Sequence, residues 1–415
     1  MQNSEYKIEE SLRDILKHAG GIPQFCISHS AFCISFLHII FQTLAILPLK
    51  SRCMDMEEYS CKTRVVTGSC TIRMLGKLEK KRLFLVADPF FVKNGVAKQV
   101  ADASGCREVE VFDQVQPDPS VELAAEGTAR LREFSPDLVV ALGGGSAMDL
   151  AKAISYFGKG EHLLAAIPTT SGSGSEVTDF AILTHDKVKH PLVDKRLRPD
   201  LAILDADLLQ ELPKGLIAET GFDVLTHALE AYVATGSGAI TDLYAREAFS
   251  SAYAALPASY AGNKHVRLKV HLAAAMAGMA FSQAGLGLCH AMAHSLGGLF
   301  HVPHGRLNAI LLPAIVSCNA HVCGKKYAEL ARAAGIGGSA DTIAVRNLKN
   351  GLLRLRRELN LPETLAQAGV DPRLVWRNAE KIVEAALADP CSKQNPMEPE
   401  GFLVRRILEE VTGRV

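Results

Sequence analysis

Short apolar runs alternate with segments of helical spacing from about residue 64 onward. "RLFLVAD" (82–88), "EVEVFDQ" (108–114) and "PDLVVALGGGS" (136–146) read as strands with their turns. "LLAAIPTT" (163–170) and "PDLAILDADLL" (199–209) continue the series, and residues 92–104 and 120–134 carry helical patterns between them. Apolar strands alternating with helices predict a parallel sheet covered on both faces. Beyond about residue 215 helical spacing takes over, as in "GFDVLTHALEAYV" (221–233) and "CHAMAHSLGG" (289–298). The expected architecture is an α/β Rossmann-like domain over 61–215 followed by an all-α domain over 216–415.

The first sixty residues do not follow this pattern. "AFCISFLHIIFQTLAILPL" (31–49) is almost continuously apolar and about as long as a membrane span, yet it holds a histidine, a glutamine, a serine and a threonine. Ahead of it, Ile8, Leu12, Ile15 and Leu16 fall on one helical stripe. Three readings fit the segment: a membrane or shell-targeting element, an extra helix docked on the body, or an upstream stretch with Met54 or Met56 as the natural start. The third agrees best with "MEEYSCKTRVVTG", which leads straight into patterned α/β sequence.

Composition narrows the function. Lys+Arg and Asp+Glu stand at 45 each, so no overall field gathers nucleic acid or an anionic membrane. With 48% hydrophobic and 22% charged residues the chain is that of a soluble globular protein, and it is long enough for two cores. Its ten cysteines are scattered and include no CxxC pair, which suits reduced thiols in the cytoplasm.

Two loops carry nucleotide-binding chemistry. "GGGSAMDLAK" (143–152) falls between a strand and a helix, at the carboxyl edge of the expected sheet where ligands bind. Gly143, Gly144 and Gly145 let backbone approach a ligand closely, and the amides opening the next helix favour phosphate. A plain tight turn explains three glycines as well. "IPTTSGSGSEVT" (167–178) follows the next strand with a dense set of hydroxyls and glycines, and Asp88 ends the first strand, where a carboxylate accepts from a ribose hydroxyl. Together the three features point to a dinucleotide.

The helical half carries metal chemistry. Asp223 and His227 are four apart, as are His290 and His294, and His304 follows in "HVPHG". Residues four apart share a helix face, so a carboxylate and several imidazoles can be aimed at one divalent transition metal. A lone histidine on such a face is more often a satisfied core residue, but two pairs and a turn are harder to dismiss. His301 sits off the stripe, and Cys289 suits helix packing better than ligation. A metal beside a nicotinamide polarises an alcohol so that its carbon gives up hydride, with His294 relaying the hydroxyl proton.

"GGGSAMDLAK", "IPTTSGSGSEVT", "TGFDVLTHALEAY" and "GLGLCHAMAHSLGGLFHVPHGRLNAILLP" occur in the order of the iron-containing alcohol dehydrogenase family, which the chain resembles from about residue 64 to its end. The resemblance implies the dehydroquinate synthase-like architecture of that family, with the active site between a nucleotide domain and a helical domain. It implies Asp223, His227, His290 and His304 as metal ligands, for Fe(II) with Zn(II) as the competitor, and His294 near nicotinamide or substrate. Cofactor contacts would fall on Asp88, Gly144, Gly145, Ser146, Asp149, Thr169, Thr170, Thr178 and Lys189. An acidic residue at 88 would repel a 2′-phosphate and favour NAD(H) over NADP(H). Asp118 stands where relatives often carry Asn, so that contact is open. "CKTRVVTG" (61–68) and "DPCSKQNPMEP" (389–399) resemble the propanol dehydrogenases of propanediol-utilisation microcompartments. The implied enzyme interconverts short primary alcohols and aldehydes, is cytoplasmic or housed in a microcompartment with shell or enzyme partners, and is a homodimer or larger. The rival readings are a lyase of the dehydroquinate synthase type, which would need clustered Lys and Arg, and a non-catalytic shell-associated protein of the same fold.

Overall fold

The computed structural model describes residues 59–185 and 188–413. The apolar segment 31–49 and the helical stripe 8–16 lie outside the described residues. Six strands form one sheet: β1 (Arg64–Gly68), β2 (Arg82–Ala87), β3 (Glu108–Phe112), β4 (Leu138–Gly143), β5 (Leu163–Pro168) and β8 (Leu201–Asp205). Their order is β1-β8-β5-β4-β2-β3, and every ladder is parallel. The expected α/β half is therefore present. Sequence reading missed β1, a short edge strand, and a separate antiparallel hairpin of β6 (Phe180–His185) and β7 (Val188–Val193).

Alternation within each strand explains the continuous apolar runs. In β2, Phe84 and Val86 pack into one core while Leu83, Leu85 and Ala87 pack into another. In β4, Val139 and Ala141 face the first core, and Leu138, Val140 and Leu142 the second. With both faces covered by helices, neither set of positions is left polar. The covering helices are α1 (Pro89–Lys93), α2 (Val96–Ser104), α3 (Val121–Phe134) and α4 (Gly145–Gly158). The second is shorter than the 92–104 reading because Asn94 and Gly95 interrupt it, Gly95 with φ 84°.

Because the strands are parallel, their carboxyl ends share one edge. Ala87 pairs with Leu142 and Gly143 with Pro168, so Asp88, the glycine turn and the 169–178 loop emerge side by side.

From Lys214 the chain is helical: α5 (Lys214–Val233), α6 (Ala239–Tyr260), α7 (Arg267–Ala284), α8 (Leu288–Phe300), α9 (His304–Ala333), α10 (Asp341–Glu358), α11 (Pro372–Arg377), α12 (Ala379–Ala388) and α13 (Gly401–Thr412). Alanine-rich faces of α5, α6 and α7 bring these helices close in one large core. Among the described helices taken singly, α9, which kinks at Cys323, is long and apolar enough to cross a membrane, but 67% of its apolar stretch is buried, as in a core helix. From Tyr59 onward the described chain is one compact unit.

The sheet half and α7 meet through glycine. Gly174 has φ 62°, and a Cβ on Gly278 of α7 would lie 2.7 Å from the Gly174 carbonyl oxygen and 2.8 Å from Val177 Cγ2. Gly278→Ala is expected to destabilise by about 1–3 kcal/mol through overpacking against backbone. Urea unfolding measures this, and an unchanged midpoint would show that the loop has room to yield.

Candidate active site

The carboxyl edge of the sheet is built by backbone. Gly143 has φ 152°, and a Cβ there would lie 2.6 Å from Ala147 Cβ, so the turn into α4 needs glycine. Gly144 is the N-cap of α4 and offers no capping side chain, which leaves the first amides of the helix, from Gly145 and Ser146, for an anion. The Thr169 amide donates to the Gly143 carbonyl at 2.9 Å, zipping the two loops together. Thr170 packs against Gly144, where a Cβ would be 3.3 Å from its Oγ1. Asp88 caps α1 through one oxygen, which accepts from the Phe90 amide at 2.9 Å.

Three of the nine expected cofactor residues are committed to protein partners. The Asp149 carboxylate accepts from Ser175 Oγ at 2.7 Å and from the Ile182 amide at 3.2 Å. Thr178 is fully buried, and its hydroxyl accepts from Lys152 at 2.9 Å. Lys189 pairs with Asp118 at 2.7 Å, and Asp118 itself has φ 53°. The structure thus gives Asp118 an ionic partner.

In the helical half, spacing becomes convergence. Asp223 Oδ1 lies 3.9 Å from His290 Nε2 and 3.5 Å from His304 Nε2, and one donor atom from each of the three residues falls within 4.8 Å of the others. His227 Nε2 is 3.9 Å from Asp223 Oδ1. Its ring is sandwiched between Phe281, with centroids 4.4 Å apart, and His290, at 4.6 Å. Its Nδ1 is buried without a hydrogen-bond partner. His294 stands beside the cluster, stacked on His304 at 5.2 Å. His301 stands apart as the exposed C-cap of α8, with φ 55°. Cys289 is fully buried, and burial pushes its thiol well above its ordinary value, so it packs rather than ligates.

Three residues to which the sequence analysis gave no role hold this cluster. Glu230, one turn beyond His227 on α5, accepts from the amides of Gly287 at 3.0 Å and Cys289 at 2.7 Å. It therefore caps α8, whose N-cap Gly287 has no side chain to do so. The same carboxylate meets His290 Nδ1 at 2.6 Å, which turns Nε2 towards Asp223. Burial pushes the Glu230 carboxyl up to about 7, while the three α8 amides favour its charged form. Asn308, one turn into α9, donates to Asp223 Oδ1 at 2.8 Å, and the same nitrogen lies 3.1 Å from His304 Nε2. Asp389 accepts from the Cys391 amide at 2.8 Å with one oxygen and meets His294 Nδ1 at 2.9 Å with the other. Burial is the largest single influence and raises that carboxyl, but the bond and charge of His294 together with the bonds from Cys391 leave the net shift downward. Gly305 completes the frame, because a Cβ there would fall on the Glu219 carbonyl of α5.

The donor set fits a divalent transition metal. Burial holds His290 and His304 well below the ordinary imidazole value, so their nitrogens are uncharged and free to ligate. Three imidazoles and a carboxylate suit Fe(II) and Zn(II) alike.

Residues 62–206 match the description of the iron-containing alcohol dehydrogenase family, and residues 217–412 match that of its C-terminal part. The chain belongs to the iron-containing alcohol dehydrogenase family. It is 38% identical over 370 residues to the 1-propanol dehydrogenase PduQ of Citrobacter freundii, covering 86% of this chain and all of that protein. It is 37% identical over 323 residues to the NADPH-dependent butanol dehydrogenase of Clostridium saccharobutylicum, covering 73% and 83% of the two chains. The iron-containing alcohol dehydrogenase of Thermococcus thioreducens superposes with a TM-score of 0.78 at 32% identity, covering 85% of this chain and 98% of that one. The protein is an alcohol–aldehyde oxidoreductase, and the lyase reading is not favoured.

Two outcomes follow from this geometry. Glu230→Gln is expected to weaken metal binding about 10- to 100-fold. Competition with a chromogenic chelator reads this directly, and an unchanged affinity would mean that packing alone orients His290. His271 of α7 supplies the second. It is fully buried, meets Ser171 Oγ through Nδ1 at 3.0 Å, and burial pulls its imidazole down to about 4. The unfolded chain binds that proton below about pH 6.5 and the folded one does not. Stability is thus expected to fall as pH drops from about 6.5 to 4, with a share of up to about 1.4 kcal/mol per pH unit from this group. His271→Asn should flatten that slope in denaturant titrations, and a parallel slope would acquit His271.

Proposed function

We propose that this enzyme reduces short-chain aldehydes to primary alcohols with NADH and a divalent metal held by Asp223, His227, His290 and His304. The convergence of Asp223, His290 and His304 donor atoms within 4.8 Å carries the reading. Bound there, the metal supplies a Lewis acid for the substrate oxygen, and the nicotinamide supplies hydride. The protein's own part is to position and to move a proton. His294, held at Nδ1 by Asp389, presents Nε2 as the group that exchanges a proton with the substrate oxygen. The glycine turn at 143–145, with Ser146, cradles the pyrophosphate, and Thr169 and Thr170 line the adjoining loop. Asp88 keeps one carboxylate oxygen beyond its helix cap for a ribose hydroxyl, and its charge disfavours a 2′-phosphate.

The short-aldehyde preference is supported by the 38% identity to a 1-propanol dehydrogenase. Preference for NADH over NADPH is supported by Asp88 alone, and one relative of comparable identity is NADPH-dependent.

The test couples metal analysis of anaerobically purified enzyme to cofactor oxidation with propionaldehyde. One bound metal per chain, activity restored by Fe(II) after chelation, and a higher kcat/KM with NADH are expected. Asp223→Asn should lose the metal, and Asp88→Gly should raise kcat/KM for NADPH about tenfold or more. A wild-type enzyme fully active after exhaustive chelation would refute the metal assignment.

A further inference from the structure

Beneath the loop that follows β5 lies a buried ammonium group that the reaction does not use. Lys152, in the middle of α4, is 1% exposed. Its Nζ donates to Ser175 Oγ at 2.8 Å, to Thr178 Oγ1 at 2.9 Å and to the Phe180 carbonyl at 2.9 Å. Three hydrogens meet three acceptors, and the ammonium has no donor left over. Ser175 passes its own hydrogen to Asp149, one turn earlier on α4, and the other Asp149 oxygen accepts from the Ile182 amide. One face of α4 therefore grips residues 175, 178, 180 and 182.

On its other side the loop rests on α7, through Gly278 against Gly174 and His271 against Ser171. Burying an ammonium is expensive even when every hydrogen is satisfied, and a methionine or leucine would fill the same space without that cost. Burial indeed pulls the Lys152 amine down to about 8, against the charges of Asp149, Glu176 and Asp179. Such a group specifies geometry better than it adds stability.

We propose that Lys152 is a positioning residue for the dinucleotide: it sets the path of residues 175–180 so that the open edge of the loop, at Thr169 and Thr170, meets the cofactor. Asp149 and Thr178 act through this bracket, not by touching the cofactor. The inference rests on the reading of that loop as a dinucleotide site.

The test is NADH binding to the metal-loaded, full-length enzyme, followed by fluorescence, in Lys152→Met, Thr178→Val, Thr178→Ser and the Lys152→Met/Thr178→Val double variant. Lys152→Met is expected to raise the Kd about tenfold, the loss of one charge-assisted hydrogen-bond set. KM for NADH should follow the Kd, while kcat at saturating NADH changes much less. Thr178→Ser keeps the acceptor and should bind as wild type does, whereas Thr178→Val should not. The double variant should be no weaker than Lys152→Met, since Thr178 acts through the lysine. If Lys152→Met does not fold, the Val and Ser pair decides. Wild type binding NADH while Lys152→Met and Thr178→Val bind it equally well would overturn the bracket alone. A further loss in the double variant would restore Thr178 as a direct contact and overturn it too. A wild type that fails to bind NADH would remove the nucleotide reading itself, and this inference with it.

Discussion

Glu230 accepts the amide hydrogens that open α8 and the Nδ1 hydrogen of His290, and it does so 2% exposed. Asp223, His227 and Glu230 occupy one stripe of α5, at spacings of four and three. Docking the N-terminus of α8 onto the last of these fixes His290 relative to the first two. Without the carboxylate, the amides of Gly287 and Cys289 would be buried without partners, while that of Leu288 keeps Asn395, and the His290 imidazole would be free to rotate. Glycine makes the contact possible, for a Cβ on Gly287 would lie 2.8 Å from Glu230 Oε1. One interaction thus sets helix register, ring orientation and the convergence of donor atoms.

The distance between the histidine cluster and the 169–178 loop is set by one element, α7. His271 and Gly278 support the 169–178 loop, while Phe281, within a turn of Gly278, stacks on His227. Phe281 also meets Phe180, whose carbonyl accepts from Lys152. Both halves of the site are therefore referenced to a single helix, whose length changes little under thermal motion. A reaction that needs two bound groups at one distance gains more from such a reference than from a longer list of loop contacts.

Much of this was legible in the chain because the signals were local. Strands buried on both faces show as unbroken apolar runs, and the i,i+4 histidine and aspartate pairs announced their shared faces. β1 escaped because "RVVTG" is short and half exposed at the sheet edge, and the β6–β7 hairpin because Lys189, His190 and Pro191 interrupt its pattern. The residues that hold the site escaped for a different reason. Glu230 meets His290 across 60 positions, Asn308 meets Asp223 across 85, and Asp389 meets His294 across 95. No local periodicity encodes such pairs. Glu230 alone left a trace, as a carboxylate continuing the Asp223–His227 stripe of a buried helix. Asp149 and Thr178 were ambiguous for the opposite reason, since polar residues in a glycine-rich loop look equally suited to a ligand and to bracing the loop that meets it.

Charge explains why the histidine cluster cannot be dismissed as core. Asp223 and Glu230 bring two carboxylates into a region where burial holds the imidazoles of His290 and His304 neutral. Glu230 is answered by the amides of α8, but the bonds reaching Asp223, His290 Nε2 and His304 Nε2 come from the single amide of Asn308. With His290 and His304 carrying their hydrogen at Nδ1, that nitrogen has two hydrogens for three acceptors, and the third is left to an imperfect contact. The nearest guanidinium of the same helix, Arg306, is spent on Glu219. A packed core is not built with more acceptors than donors, because each buried lone pair without a hydrogen costs free energy and a carboxylate costs most. A divalent cation held by Asp223, His290 and His304 would accept these lone pairs together and neutralise the carboxylate. The acceptor surplus, more than the number of histidines, is what separates a metal centre from a cluster of satisfied imidazoles.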